Sequence, residues 1–433
     1  MLVWLITIGE QLPLNGEGVR PWRNSLLAAA LERAGHRVVR WASAFDHTRK
    51  VQRFDRYTEV HLSTAYTIRL LHAPGYARNV SLARIRHHRG VAAAFATAAR
   101  GAEPPDVILC SLPILELCDE ATRFGCERRI PVALDVRDLW PDALVHLVPG
   151  SLHWAAETLL RGMRQQARRV CASADAILGI TDAYVEWGVR HAGRQRTCDD
   201  RAYAMAYTTE APDMEAISEA ETRWDLRGVR NDGSTRVCFF GTLGRQFDIA
   251  TAIEAARILE REGRRTQWVI CGAGEALEGL RRRAARAPGV LLPGWVNHAD
   301  IYTLMRRSSA GLAPYRDVPH FRTNIPNKPA EYLSAGLPVL CGVGGALRQM
   351  VIDAGCGLCY EPGRPESLAE AVRRLDTDRT AASTMRRASE RLFEERFVAE
   401  HVYAQMADHL LGLAARGAPG SCPPLLHRED AHA

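Results

Sequence analysis

The chain has 433 residues, of which 47% are hydrophobic and 24% charged. That length is more than one compact domain needs, and the composition excludes a largely disordered chain. The formal net charge of +6 is mild for this length. It suits anionic ligands or an anionic membrane face, and without a basic stripe interleaved with aromatic residues it argues against nucleic acid as a partner.

Of the 56 basic residues, only Lys50 and Lys328 are lysine. Arginine-favouring codon usage explains the bias. A lysine kept against it suits a position that needs a compact point charge rather than a planar fork. The 11 cysteines are scattered, and the single CxxC, Cys356 and Cys359, has no partner pair at zinc spacing. Small buried thiols in a reducing cytoplasm are expected, with metal or redox use as the alternative. The opening MLVWLITIG is too short for a signal peptide, and nothing reaches the roughly 18 apolar residues that cross a bilayer. A cytoplasmic location is expected, with peripheral contact at the inner face of the cell membrane left open.

In chain order, the strand LVWLITI is followed by a Gly- and Pro-bearing loop, the helix NSLLAAALERA stopped by Gly35, and the strand HRVVRW. This is one βαβ unit. Short buried strands follow at 106–112, 130–136 and 174–180, the last leading into the helix TDAYVEWGV. Between them, Leu152, Ala156, Leu159, Met163, Ala167 and Val170 recur at helical spacing, with Arg161, Arg164, Arg168 and Arg169 on the other side. The spacing predicts one amphipathic helix, either an ordinary surface helix or one that docks on anionic lipid.

Residues 191–233 turn polar with few strand signals and read as the inter-domain connection, with room for one helix. From 235 a second strand–helix alternation runs through TRVCFFG, TQWVICG, GVLLPGW, AGLAPY and PVLCG, with helices between and Pro365 opening the helix that follows. The boundaries drawn are 1–205 for a first domain, 206–233 for a linker, 234–396 for a second domain, 397–416 for a closing helix and 417–433 for a disordered tail. The fold class is therefore α/β, with two Rossmann-like domains. Ligands of open parallel sheets bind at the carboxyl ends of the strands, so two facing sheets would place a site in the central cleft between them.

Three loops carry chemistry. Gly272 and Gly274 follow a strand, but Leu277 stands where a dinucleotide fingerprint has its third glycine, so a close-packing turn fits better than NAD or FAD. No GxxxxGK[ST] occurs, which argues against an ATP-hydrolysing P-loop. FFGTLGRQFDIATAI sets Gly241 and Gly244 with Arg245 between a strand end and a helix. This is an anion site in which Arg245 either contacts a diphosphate or is a plain surface arginine. IPNKPAEYLSAGLPVL puts Lys328 at a helix start, where the dipole disfavours a cation and a bound anion would remove the conflict. Glu331 follows within one turn, able to accept from a ribose diol or simply favoured there by the dipole.

NKPAEYLSAGLPVL, GTLGRQFD and VICGAGEALEGL resemble the donor domain of family 4 retaining glycosyltransferases, which have the GT-B fold. With IGEQLPLNGEGVRPWR, AGHRVVRWASAFDH and ALDVRDLWPD, the chain is similar over most of residues 1–410 to a bacterial subgroup that builds O-antigen, capsule or exopolysaccharide. The resemblance implies an N-terminal acceptor-binding domain, a C-terminal nucleotide-sugar-binding domain, and a last helix returning toward the first. It implies transfer of a sugar, of N-acetylated hexose type, from a UDP-linked donor to a saccharide or lipid-linked acceptor. The nucleotide-sugar is a substrate, so no cofactor is expected. No DxD stands where a metal-dependent transferase needs it, so no metal is expected either.

Placed on this sequence, Glu331 matches the second acid of the family's EX7E pattern, and Thr323 replaces the first. Arg245 falls where the family has a diphosphate-binding lysine. Thr242 replaces a family arginine, so Lys328 is expected to supply the missing charge. Gly241, Thr242, Gly244 and Gly272 join the donor-binding set, and Trp295 and Val296 lie in the stretch whose backbone reads the base. Gly9, Gly16 and Gly18 would bring the N-terminal loop close to the diphosphate. Arg137 and Asp138 stand near the family's His-Asp and are catalytic candidates with Arg245 and Lys328, or else form a structural ion pair. His47 and Lys50 in FDHTRK are either motif residues or part of a solvated loop. Two other functions stay open: a sugar-nucleotide epimerase, which would make product without an acceptor, and a non-catalytic sugar-nucleotide-binding subunit, which would bind donor without turnover.

Overall fold

The computed structural model describes residues 1–14, 21–79, 81–145, 148 and 150–417. The expected tail from 418 onward, Gly16 and Gly18 lie outside the described residues. The chain divides into two compact units: 1–13, 21–203 and 403 onward form the N-terminal unit, and 204–402 the core of the C-terminal unit.

The N-terminal unit is built on an eight-stranded sheet. Its central strand, Leu2–Ile6, is apolar throughout and buried along its whole length, as a strand covered on both faces must be. Arg37–Ser43 and Val107–Ser111 flank it in parallel. Beyond them lie Tyr66–Leu71 on one side, and Val132–Val136 then Ala176–Gly179 on the other, all parallel. Only the edge strand Thr58–His61 is antiparallel. Trp4, Trp41, Phe95 and Phe124 fill the core, with Trp4 and Trp41 centroids 4.9 Å apart. The final helix, Ala399–Arg416, joins this unit from Tyr403 onward. There His409 Nδ1 lies 2.9 Å from the Tyr203 hydroxyl.

The C-terminal unit has a six-stranded, wholly parallel sheet. Thr235–Phe240 lies between Thr266–Cys271 and Ala310–Ala313. The order reverses beside this strand, which makes its carboxyl end a topological switch point.

The stretch 206–233 contains the helix Met214–Leu226, whose Trp224 is fully buried and donates its indole N–H to the Asp300 carbonyl at 2.9 Å. Polar residues on the other faces of that helix hide this anchor in the sequence. The amphipathic helix expected over 151–170 is broken at Leu160 into His153–Leu159 and Arg161–Ala172. Ala167 and Val170 are buried, whereas Leu152 and Leu159 are 50% and 84% exposed. Among the described residues, no helix is long and apolar enough to cross a membrane.

Candidate functional site

In the C-terminal unit, the turns after Thr235–Phe240, Thr266–Cys271 and Val290–Gly294 are joined backbone to backbone. Gly241 N donates to the Cys271 carbonyl at 3.1 Å, Leu243 N to Ala273 at 2.9 Å and Gly272 N to Gly294 at 2.7 Å. Glycine is required by this approach. A Cβ on Gly272, at φ +142°, would lie 1.8 Å from the Gly241 carbonyl oxygen, and one on Gly274 would lie 2.4 Å from that of Leu243. Gly272 therefore has a packing role.

The helix Asn327–Ser334 is set on this edge by Tyr332. Its ring lies over Gly311, where a Cβ would be 2.1 Å away, and its hydroxyl donates to the Leu312 carbonyl at 2.9 Å. Gly311→Ala is expected to lift this helix and destabilise the fold by about 2–4 kcal/mol, read by thermal melting.

Lys328, in the first turn, runs across the face of Gly241. A Cβ there would meet its Cε at 2.6 Å and its Nζ at 2.7 Å. The ammonium lies 5.5 Å from the Phe239 ring centroid and 4.8 Å from that of Phe247, so aromatic faces fix its position. Glu331, one turn on, is 1% exposed. Thus Lys328 is brought onto the Gly241–Gly244 turn, and Glu331 shares its helix. Arg245 differs: its side chain is 92% exposed and meets Glu275 at 3.3 Å. Such a pair is weak and leaves the guanidinium easily recruited. Thr242 is exposed beside it. Trp295 is 74% exposed, whereas Val296 is buried in the core, so only the backbone of Val296 can face a ligand. Thr323 closes the short helix Pro319–Arg322 and donates its hydroxyl to the His320 carbonyl at 3.2 Å.

In the N-terminal unit, Gly9 adopts φ +92° in the loop after the central strand. The next residue, Glu10, was not singled out by sequence and organises this edge. Its carboxylate accepts from Arg137, from Arg40 at 2.7 Å and from Asn24 at 3.1 Å. Burial opposes its ionisation, but Arg137 and Arg40 hold the carboxyl below its usual range. Arg137 therefore pairs with Glu10 rather than with Asp138. Beneath them, Arg23 grips Asp135 with two bonds of 3.0 Å and donates to the Tyr203 carbonyl at 2.9 Å. Asp138, half-buried, accepts from Leu139 N at 2.8 Å. Burial lifts its carboxyl from the ordinary 3.8 to about 6.

That shift has a sign. A carboxyl protonated more readily when folded supports the fold at low pH, and the support is lost as pH rises from 3.8 through about 6. Asp138→Asn is therefore expected to stabilise the protein by about 1–3 kcal/mol at pH 7.5, and the gain should vanish as pH falls toward 4. Melting curves across that range check it.

Comparison with solved structures defines the class first. Sucrose-phosphate synthase from Thermosynechococcus elongatus matches with a TM-score of 0.72 at 16% identity, covering 96% of this chain and 99% of that one. An Anabaena protein, Alr3699/HepE, in complex with UDP-glucose, matches with a TM-score of 0.63 at 15% identity, covering 95% and 100%. Two Rossmann-like domains with parallel sheets, the GT-B fold, are thus present. Residues 234–378 match the family model described as Glycosyl transferases group 1. Alpha-D-kanosaminyltransferase of Streptomyces kanamyceticus is 25% identical over 222 residues, which cover 46% of this chain. The chain spans little more than half the length of that relative, 56%.

Proposed function

We propose that this chain is a retaining, metal-independent glycosyltransferase. It moves a sugar of N-acetylated hexose type from a UDP-linked donor, held by the C-terminal unit, to a saccharide or lipid-linked acceptor held by the N-terminal unit, in surface polysaccharide synthesis. The observation that carries the reading is the Lys328 ammonium fixed against Gly241 at the switch point, with Glu331 in the same short helix. The likeness of 234–378 to group 1 glycosyl transferases supports it, as does the UDP-glucose bound by the Anabaena protein.

The chemistry follows from charge. Breaking a glycosyl–phosphate bond leaves negative charge on the diphosphate and oxocarbenium character on the sugar. Lys328 is already positioned to stabilise the leaving group, at no reorganisation cost when charge develops. Arg245 adds a mobile charge, its exposed guanidinium held only by a weak pair with Glu275. Glu331 accepts from the ribose hydroxyls. The acceptor hydroxyl loses its proton to the departing phosphate on the same face, so no carboxylate nucleophile is needed. Asp138, with its raised proton affinity, and Arg137, held by Glu10, are assigned to the acceptor in this reading. The test is transfer from a panel of UDP- and GDP-sugars to saccharide acceptors in the presence of EDTA. Turnover that depends on acceptor and survives EDTA supports the reading. Epimer formation without an acceptor would replace it.

The same reading places the protein at the inner membrane face. Trp154 and Leu159 are 71% and 84% exposed, and among the described residues Arg161 and Arg168, nearby in sequence, have no carboxylate within 4.0 Å. Apolar side chains beside uncompensated cations match an anionic lipid surface. Trp154→Ala with Arg161→Glu and Arg168→Glu is expected to cut sedimentation with phosphatidylglycerol vesicles at least tenfold. Neutral vesicles should bind neither protein.

A further inference from the structure

A polar cluster of the N-terminal unit lies outside the Glu10–Arg137 network. The strands Phe45–Asp46 and Val51–Gln52 pair and close a turn over His47–Lys50. Asp46 holds that turn, accepting from Thr48 N at 2.8 Å, Arg49 N at 2.9 Å and Arg53 at 2.7 Å. Lys50 ends it at φ +59°, a left-handed conformation that a residue with a Cβ adopts at a cost. The ammonium then lies 4.6 Å from the Tyr76 ring centroid, donates to Asn79 Oδ1 at 2.5 Å and reaches His47 Nδ1 at 3.3 Å.

Arg84 approaches the same ring from the helix Leu82–Arg100. Its guanidinium carbon is 6.0 Å from the Tyr76 centroid and 4.7 Å from that of Trp140. It donates to His88 Nε2 at 3.3 Å and to the Asn79 carbonyl at 2.9 Å. Two cations thus share one aromatic ring, and among the described residues neither has a carboxylate within 4.0 Å.

The surrounding groups do not cancel this charge. Asp46, the acid nearest Lys50, is committed to Arg53 and the turn backbone. Glu116 lies 3.9 Å from the His88 ring rather than on Arg84. Asp138 is drawn toward ionisation by Arg84 but is held back by burial. Burial, with the neighbouring cations, keeps His47 neutral down to about 4 and His88 down to about 3. Lys50 can only donate, so His47 Nδ1 accepts from it, and the imidazole proton sits on Nε2 as a further donor.

We propose that Lys50 and Arg84, both close to the Tyr76 ring, form an anion-binding subsite that takes a phosphate or carboxylate carried by the acceptor. An anion reached by both cations would relieve their repulsion, and the neutral His47 would add a hydrogen bond from its Nε2 without adding charge. The assignment to an acceptor rests on the reading that the N-terminal unit holds it. The anion site itself rests only on this cluster.

The test is calorimetric titration of the full chain, with and without UDP, with inorganic phosphate, glucuronate and glucose. Phosphate or glucuronate should bind and glucose should not, and the tighter of the two identifies the acceptor's charged group. Lys50→Gln, and independently Arg84→Gln, should weaken the anion at least tenfold. Lys50→Arg should retain part of the affinity, and UDP binding should be unchanged in Lys50→Gln. Equal anion affinity in wild type and both glutamine variants, or no anion binding by the wild type, overturns the proposal. Anion binding that depends on Lys50 in a protein that fails to bind UDP would sink the donor reading and leave this one standing.

Discussion

Replacing Lys328 by glutamine is expected to lower kcat by roughly 10²–10³-fold, the usual cost of removing a fixed group that stabilises developing negative charge. Stability should change by only about 0.5–1 kcal/mol, the value of an ammonium resting on aromatic rings. The geometry sharpens the expectation for arginine. The ammonium sits where a Cβ on Gly241 would be 2.7 Å away, bounded by Phe239 and Phe247. A planar guanidinium does not fit that space, so Lys328→Arg should also lose at least tenfold although its charge is kept. Single-turnover rates with saturating donor separate this loss from weakened binding.

The second large effect is on folding. Gly272→Ala would place a methyl group 1.8 Å from the Gly241 carbonyl oxygen at φ +142°. Neither chain can yield without breaking the Gly241–Cys271 and Gly272–Gly294 hydrogen bonds. A loss of about 3 kcal/mol or more is expected, or roughly 6–12 °C in Tm for a domain of this size. Gly9→Ala is a useful contrast. Gly9 also has positive φ, but nothing lies within 4 Å of its added Cβ, so about 1 kcal/mol is expected. Thermal melts of the two variants check the difference.

These expectations also mark what the sequence made legible. Lys328 and Glu331 could be read together because one short helix carries both, so their spacing is visible in a single segment. The strands of the C-terminal unit were equally plain, since parallel strands buried on both faces read as apolar runs bounded by glycine. Glu10 could not be found in this way. Its partners, Asn24, Arg40 and Arg137, come from three other segments and meet only through the sheet order. The helix Leu82–Arg100 was hidden for a different reason. It buries His87 and His88 together with alanines, so hydrophobic contrast along it is low. Arg84 and its approach to Tyr76 therefore depend on tertiary structure alone. The packing of the helix Met214–Leu226 was not legible either, because a single buried residue, Trp224, anchors an otherwise polar helix.

If the turn beginning at Lys328 grips a nucleotide diphosphate, ligand should stabilise the fold in proportion to occupancy. The direct measurement is a thermal-shift screen of UDP- and GDP-sugars on the wild-type chain and on Glu331→Ala. At a hundredfold excess over Kd, one UDP-sugar should add about 2.7 kcal/mol and raise Tm by roughly 5–10 °C. Glu331→Ala should lose more than half of that rise. No shift with any sugar nucleotide, or an equal shift in the variant, would contradict a donor site built on this helix.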